Sequence, residues 1–147
     1  ELARNDERVR LLRSIPGLGP FFSVVAANEI DDISRFSDDK KLCAYAGLVP
    51  STYASGGKVF HGRLTKTGNK WLRWVFVEAV PPAIKIDADL FAYCQRLKMK
   101  KGNNAAKVAT ARRLLTIAYR VLRHQRLYER RNRMPTKRSA PVALKSI

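Results

Sequence analysis

Apolar residues along this chain recur at helical spacing in six stretches and lose that spacing in two. The first stretch, 2–14, reads as a basic amphipathic helix marked by Leu2, Val9 and Leu12. The run Ile-Pro-Gly-Leu-Gly-Pro at 15–20 breaks it, and a second helix is expected over 21–30. Pro20 then falls near the first turn, where a missing amide proton does no harm. Ser23 takes the small-residue position at which the two helices of such a hairpin must approach closely. A third helix is expected to open on Ser37 as N-cap. Asp38 and Asp39 follow in its first turn and Lys40 and Lys41 after them, the order that suits the helix dipole. It should run to about Ala46 and stop at Gly47.

Periodicity lapses over 48–66, which reads as irregular loop or a short hairpin, with Thr52-Tyr53 and Val59-Phe60 flanking a Gly-Gly turn. Helical spacing returns over 69–79 through Leu72, Val75, Phe76 and Ala79, until Pro81-Pro82 kinks or ends it. Leu90, Phe91, Cys94 and Leu97 mark one face of a helix over 87–100. The best-formed helix spans 104–124. Its seam is Val108, Ala111, Leu115, Ala118 and Leu122, widened by Leu114, Ile117 and Val121. From Gln125 on, the chain is basic, with Pro135 and Pro141 and little periodicity, and reads as a disordered arm. The pattern predicts a mainly α fold: a helix-hairpin-helix over about 8–31, then a small helical bundle with a basic loop or short hairpin. The domain is expected to extend over 1–128, with a basic tail over 129–147.

Charge changes the picture from fold to partner. The 147 residues carry a formal charge of +17. Residues 1–42 hold seven Lys/Arg and eight Asp/Glu, whereas 43–147 hold twenty-two and four. The excess is regional and implies a polyanionic partner, most simply nucleic acid. An anionic membrane is the other candidate, but no apolar run approaches the roughly 18 residues of a membrane span, no signal peptide is visible, and no membrane partner is expected. Cys43 and Cys94 lie far apart without metal-ligand spacing, and His61 and His124 are the only histidines. Two buried thiols in a reducing cytoplasm, and no metal site, are the expectation. Asp31, Asp32, Asp38 and Asp39 suit helix starts and solvent better than a metal, because adjacent pairs point in different directions on a helix. The chain begins at Glu1 and reads as a fragment or processed product.

The candidate chemistry lies in 50–74. Ser51 and Ser55, with Gly56-Gly57, stand among Lys58, Arg63, Lys66, Lys70 and Arg73, and no Asp or Glu falls between Lys41 and Glu78. The glycines permit close backbone approach to a phosphate and a turn that presents the hydroxyl. Attack on a phosphodiester builds negative charge on the non-bridging oxygens, which Arg or Lys stabilises. A serine hydroxyl is a weak nucleophile that needs a base, and His61 is the local candidate. On these residues alone, a nucleophilic Ser55 and a phosphate-binding turn both stand. Gly17 and Gly19 would bring backbone amides at a helix N-terminus close to a phosphate. Arg112 and Arg113, with Arg120 and Arg123, are either a solvated helix face or phosphate contacts.

Several of these runs together resemble the C-terminal domain of transposases of the insertion sequence 110/116/902 family. They are Ile-Pro-Gly-Leu-Gly-Pro at 15–20, Asn-Glu-Ile-Asp-Asp-Ile-Ser-Arg-Phe at 28–36 and Leu-Cys-Ala-Tyr-Ala-Gly-Leu-Val-Pro-Ser at 42–51. Ser-Gly-Gly-Lys at 55–58, Gly-Arg-Leu-Thr-Lys-Thr-Gly-Asn at 62–69, Leu72-Arg73 and the helix containing Ala109, Arg112 and Leu115 extend the likeness over about 8–128. The resemblance implies a DNA recombinase guided by a structured RNA, acting as a homo-oligomer in a prokaryotic cytoplasm at the nucleoid. It implies a serine that attacks DNA to form a phosphoserine link, matched to Ser55 with Ser51 as runner-up. It also implies a RuvC-like domain before Glu1 whose four acids hold magnesium. A non-catalytic helix-hairpin-helix nucleic-acid-binding module is the rival reading, and a ribosome-associated RNA-binding protein is favoured by charge alone.

Overall fold

The computed structural model describes residues 6–49 and 68–130, and all structural statements below concern these. They form six α-helices and one 3-10 turn, without a strand among them: α1 Glu7–Arg13, α2 Pro20–Ile30, the 3-10 turn Ile33–Arg35, α3 Asp39–Tyr45, α4 Lys70–Ile86, α5 Ala88–Lys101 and α6 Asn103–His124. The central element is α6, which packs against α1, α3, α4 and α5. Its buried face holds Ala106, Ala111, Leu114, Leu115, Ala118 and Leu122, close to the predicted seam. Val108 and Ile117 are only half-buried.

Caps explain most boundaries. Asp6 accepts from the Arg8 amide and opens α1. Asp38 accepts from the Lys41 amide, so α3 starts one residue later than the Ser37 cap the sequence suggests. A carboxylate at that position satisfies an orphan donor and the helix dipole together. Gly19 is the N-cap of α2, with Pro20 in the first turn as expected. Gly47 follows α3 with a φ of +71°.

Three features depart from the simplest reading of the pattern, for definable reasons. Pro81-Pro82 does not end α4, which continues to Ile86. Both prolines are exposed, so the carbonyls one turn earlier, freed of their helical donors, lie on the watered face. Ala79, Val80 and Ala83, buried on the opposite side, hold the helix together across them. Phe91 is exposed rather than aligned with buried Leu90 and Cys94, because neighbours in a helix point about 100° apart. Finally, 125–130 is not a free arm. The Tyr128 amide donates to Ser14 Oγ at 2.8 Å, and its phenol donates to Asp87 Oδ2 at 2.6 Å. Asp87 is buried, closes α4 and caps α5 through the Asp89 and Leu90 amides. Tyr128 therefore ties the stretch after α6 to the α4–α5 corner.

Arg8 performs a similar service between the first two helices. Held by Asp6 at 2.8 Å, it donates to the Ala27 and Asp31 carbonyls at 3.2 and 2.6 Å, neutralising the C-terminus of α2. The guanidinium holds the Asp6 carboxyl below its usual range. Cys43 and Cys94 are both buried and free. Burial pushes the Cys43 thiol up to about 11, which leaves it protonated and inert at neutral pH.

Candidate nucleic-acid interface

Ser51, Ser55, Gly56, Gly57, Lys58, His61, Arg63 and Lys66 lie outside the described residues, as does the suggested hairpin of Thr52-Tyr53 with Val59-Phe60. What is described is the frame into which their segment is set. The chain reaches that segment through Leu48 and Val49, and leaves it at Gly68. A Cβ on Gly68 would lie 2.8 Å from the Gly47 nitrogen and 3.0 Å from the Tyr45 carbonyl oxygen. Gly68 also has a φ of +126°, so only glycine fits both the conformation and the space. The two ends of the segment thus meet at the C-terminus of α3.

Asn69 fastens this junction. Its amide donates to the Tyr45 carbonyl at 2.7 Å, and its Oδ1 caps α4 by accepting from the Trp71 and Leu72 amides. Its Nδ2 donates to Glu29 Oε2 at 2.7 Å and to the Tyr45 hydroxyl at 3.3 Å. The Tyr45 hydroxyl donates in turn to the Glu29 carbonyl. Behind the Tyr45 ring lies Arg35, whose guanidinium is 5.2 Å from the ring centre. Glu29 is a residue that sequence reasoning passed over. The signal, Asn28-Glu29 in the resembling run, was there, but its partner is forty residues away.

Of the predicted phosphate contacts, Lys70 and Arg73 lie on the first turn of α4, directly after the junction. Arg112 approaches the same place from α6 and donates to the Leu48 carbonyl at 3.4 Å. Arg113 lies over the Tyr93 ring at 4.5 Å. There it joins Arg96, Arg112 and Arg120 along a groove of about 730 Å³ between α5 and α6, which Tyr128, Asp89 and Glu129 also line. Arg96 and Tyr93 gave no sequence signal, because the groove exists only once α5 and α6 pack together.

The two hairpin glycines part company. Gly17 has a φ of +87°, and a Cβ there would lie 2.3 Å from the Ala79 carbonyl oxygen, so this glycine is required by packing against α4. Gly19 faces open space, and the depression beside it is flanked by Arg13 and Arg130. Ala79 is nine residues, about 14 Å of helix, beyond Lys70, so the hairpin and the junction are distinct regions. Among the described residues no group of three or more His, Cys, Asp or Glu comes together. Asp32 and Asp38 are occupied as caps of the 3-10 turn and of α3. No helix among them is long and apolar enough to cross a membrane.

Comparison with known proteins adds the context. The sequence model described as "Transposase IS116/IS110/IS902 family" matches residues 9–95. The chain is 28% identical to an uncharacterized protein of insertion element IS116 from Streptomyces clavuligerus, over 87% of this chain and 32% of that protein. It is 29% identical to a transposase for insertion sequence element IS1111A from Coxiella burnetii, covering 86% of this chain and 36% of the other. It is 34% identical to a pilin gene-inverting protein from Moraxella lacunata, with 84% and 39% covered. The chain spans 32–39% of the length of these relatives.

Proposed function

Because the chain belongs to the IS116/IS110/IS902 transposase family, we propose that it is the part of a DNA recombinase that supplies a serine nucleophile, Ser55, for strand transfer in transposition or site-specific recombination. The observation that carries this reading is the junction: the segment bearing Ser55 is clamped at both ends in one place, beside Lys70, Arg73 and Arg112. A nucleophile on a long segment needs such a fixed base, and the phosphate it attacks needs the cations.

In the proposed reaction Ser55 Oγ forms a bond to phosphorus as one strand's ester oxygen leaves. The hydroxyl proton passes to a base, and the departing oxygen takes up a proton. A later attack by a strand hydroxyl reverses these events and releases the serine. Lys58, Arg63 and Lys66 neutralise the phosphate, with Gly56 and Gly57 allowing close approach. Lys70 and Arg112 hold the flanking backbone, and Arg113 extends that contact into the α5–α6 groove. The only described carboxylate bound to the junction, Glu29, is engaged by Asn69. Charge for activation therefore comes from elsewhere in the full-length protein. The acidic, magnesium-holding domain implied by the resemblance is the natural source, and a structured guide RNA the natural further partner, in a homo-oligomer at the nucleoid.

A helix-hairpin-helix contact is a second element of the reading, favoured by the open face of Gly19 beside Arg13 and Arg130. The deciding experiment is on the full-length recombinase. Ser55→Ala should abolish both the covalent protein–DNA adduct and strand transfer while leaving DNA binding within about twofold. Ser51→Ala should be far milder. An adduct that survives Ser55→Ala removes the assignment.

A further inference from the structure

Four aromatic rings, on the first turns of α2 and α4, are claimed by none of these roles. Phe21 and Phe22 open α2, and Trp71 and Trp74 lie one turn apart on α4. Their rings form a continuous path: Phe21 to Phe22 at 6.1 Å, Phe22 to Trp74 edge-on at 5.3 Å, and Trp74 to Trp71 edge-on at 6.5 Å. The opposite side of α4 is fully buried through Leu72, Val75 and Phe76. The path nonetheless leaves Phe21 66%, Trp71 54% and Trp74 42% exposed. Three large rings held side by side in water are a contact surface, because a scattered surface aromatic needs no partner but a contiguous patch does.

The surrounding charge selects the partner. The Lys70 ammonium lies 5.3 Å from the Trp71 ring centre, and Arg73 is on the same turn. Neither the first half of α2 nor the first two turns of α4 carries an acid. A partner that suits this strip presents flat π-faces and negative charge in alternation. Unpaired nucleotides do so, whereas the bases of a duplex are stacked on one another and offer no face. We propose that Phe21, Phe22, Trp74 and Trp71 form a stacking platform for unpaired bases of a single strand, with Lys70 and Arg73 on its phosphates. This rests on the reading that the domain engages nucleic acid and adds that part of the bound strand is unpaired.

The chain contains only two tryptophans, and both lie on the strip, so intrinsic fluorescence reports on it directly. The 147-residue chain would be titrated at low salt with 20-nucleotide oligothymidylate, oligouridylate and a 20-base-pair duplex. Both single strands should quench the tryptophan emission. A larger effect of one distinguishes DNA from RNA as the source of the bases. Trp71→Ala and, independently, Phe21→Ala should each weaken single-strand binding about tenfold and duplex binding less than twofold. Single-strand binding without quenching, or equal losses on single strand and duplex, overturns the platform while leaving nucleic-acid engagement standing. Failure of all three ligands to bind overturns both. Self-association of the chain that Trp71→Ala abolishes would reassign the strip to contact between copies.

Discussion

The two ends of α4 are held by different means. Its C-terminal half is fixed mainly by shape, with the Asp87–Tyr128 hydrogen bond closing the corner beyond it: Gly17 brings the α1–α2 hairpin onto the Ala79 carbonyl with no room for a Cβ, and Ala83 lies against the same turn. Its N-terminal end is fixed by directed polar contacts, with Asn69 linking α4, Tyr45 and Glu29, and with aromatic rings left outside. Close backbone packing tolerates one arrangement. A hydrogen-bonded junction can be weakened locally without unfolding the whole. The end that carries the proposed chemistry is the adjustable one.

The hardest blow to the shape-fixed end is Gly17→Ala. It combines a φ of +87° with a contact that the helix backbone cannot relieve, and should destabilise by about 3–5 kcal/mol in urea denaturation. A loss under about 1 kcal/mol would show that the hairpin yields and that the two ends do not differ. Asn69→Ala removes the α4 cap and leaves Glu29 without its donor. About 1–2 kcal/mol is expected, with amide exchange accelerated in the first turn of α4 but not in α6. Uniform acceleration would mean the junction is as integral as the hairpin.

Tyr128→Phe tests the corner at Asp87 and should cost about 1 kcal/mol. Burial and then the Asp87 hydrogen bond push the Tyr128 phenol up to about 12. The fold favours the neutral phenol, so this contribution is intact below about pH 10 and is lost as pH rises towards 12. The alkaline fall in melting temperature should be shallower in Tyr128→Phe. Smallest is Ser23→Ala. The Ser23 hydroxyl is fully buried without a hydrogen-bond partner, and its removal should stabilise by up to about 1 kcal/mol. A loss instead would reveal a partner for that hydroxyl.

Local rules read from the sequence carried the helices well. The α6 seam, Pro20 in the first turn of α2 and Gly47 after α3 follow from side chains within one turn of each other. What sequence could not convey is contact across distance. Gly17 and Gly19 look alike in the chain, yet one is packed on α4 and the other is open, because the difference lies in a carbonyl more than sixty residues away. Pro81-Pro82 reads as a kink or a stop because propensity ignores the buried face that spans it. Tyr128 reads as tail because neither Ser14 nor Asp87 is near it in sequence. Arg112 and Arg113 were legible as cations, but that both line the α5–α6 groove while only Arg112 also reaches the Leu48 carbonyl at the junction is a property of the packed pair.

The meeting of Gly47 with Gly68 has a consequence for chain connectivity. Where the two ends of an insertion are already side by side, its length is nearly decoupled from the stability of the body that carries it. Doubling such an insertion adds only about 0.6 kcal/mol of closure entropy. A change in the number of residues between Val49 and Gly68 therefore costs little in closure entropy. The bundle acts as a socket: it supplies fixed ends, with the cations Lys70, Arg73 and Arg112 beside them, whatever the length of chain between.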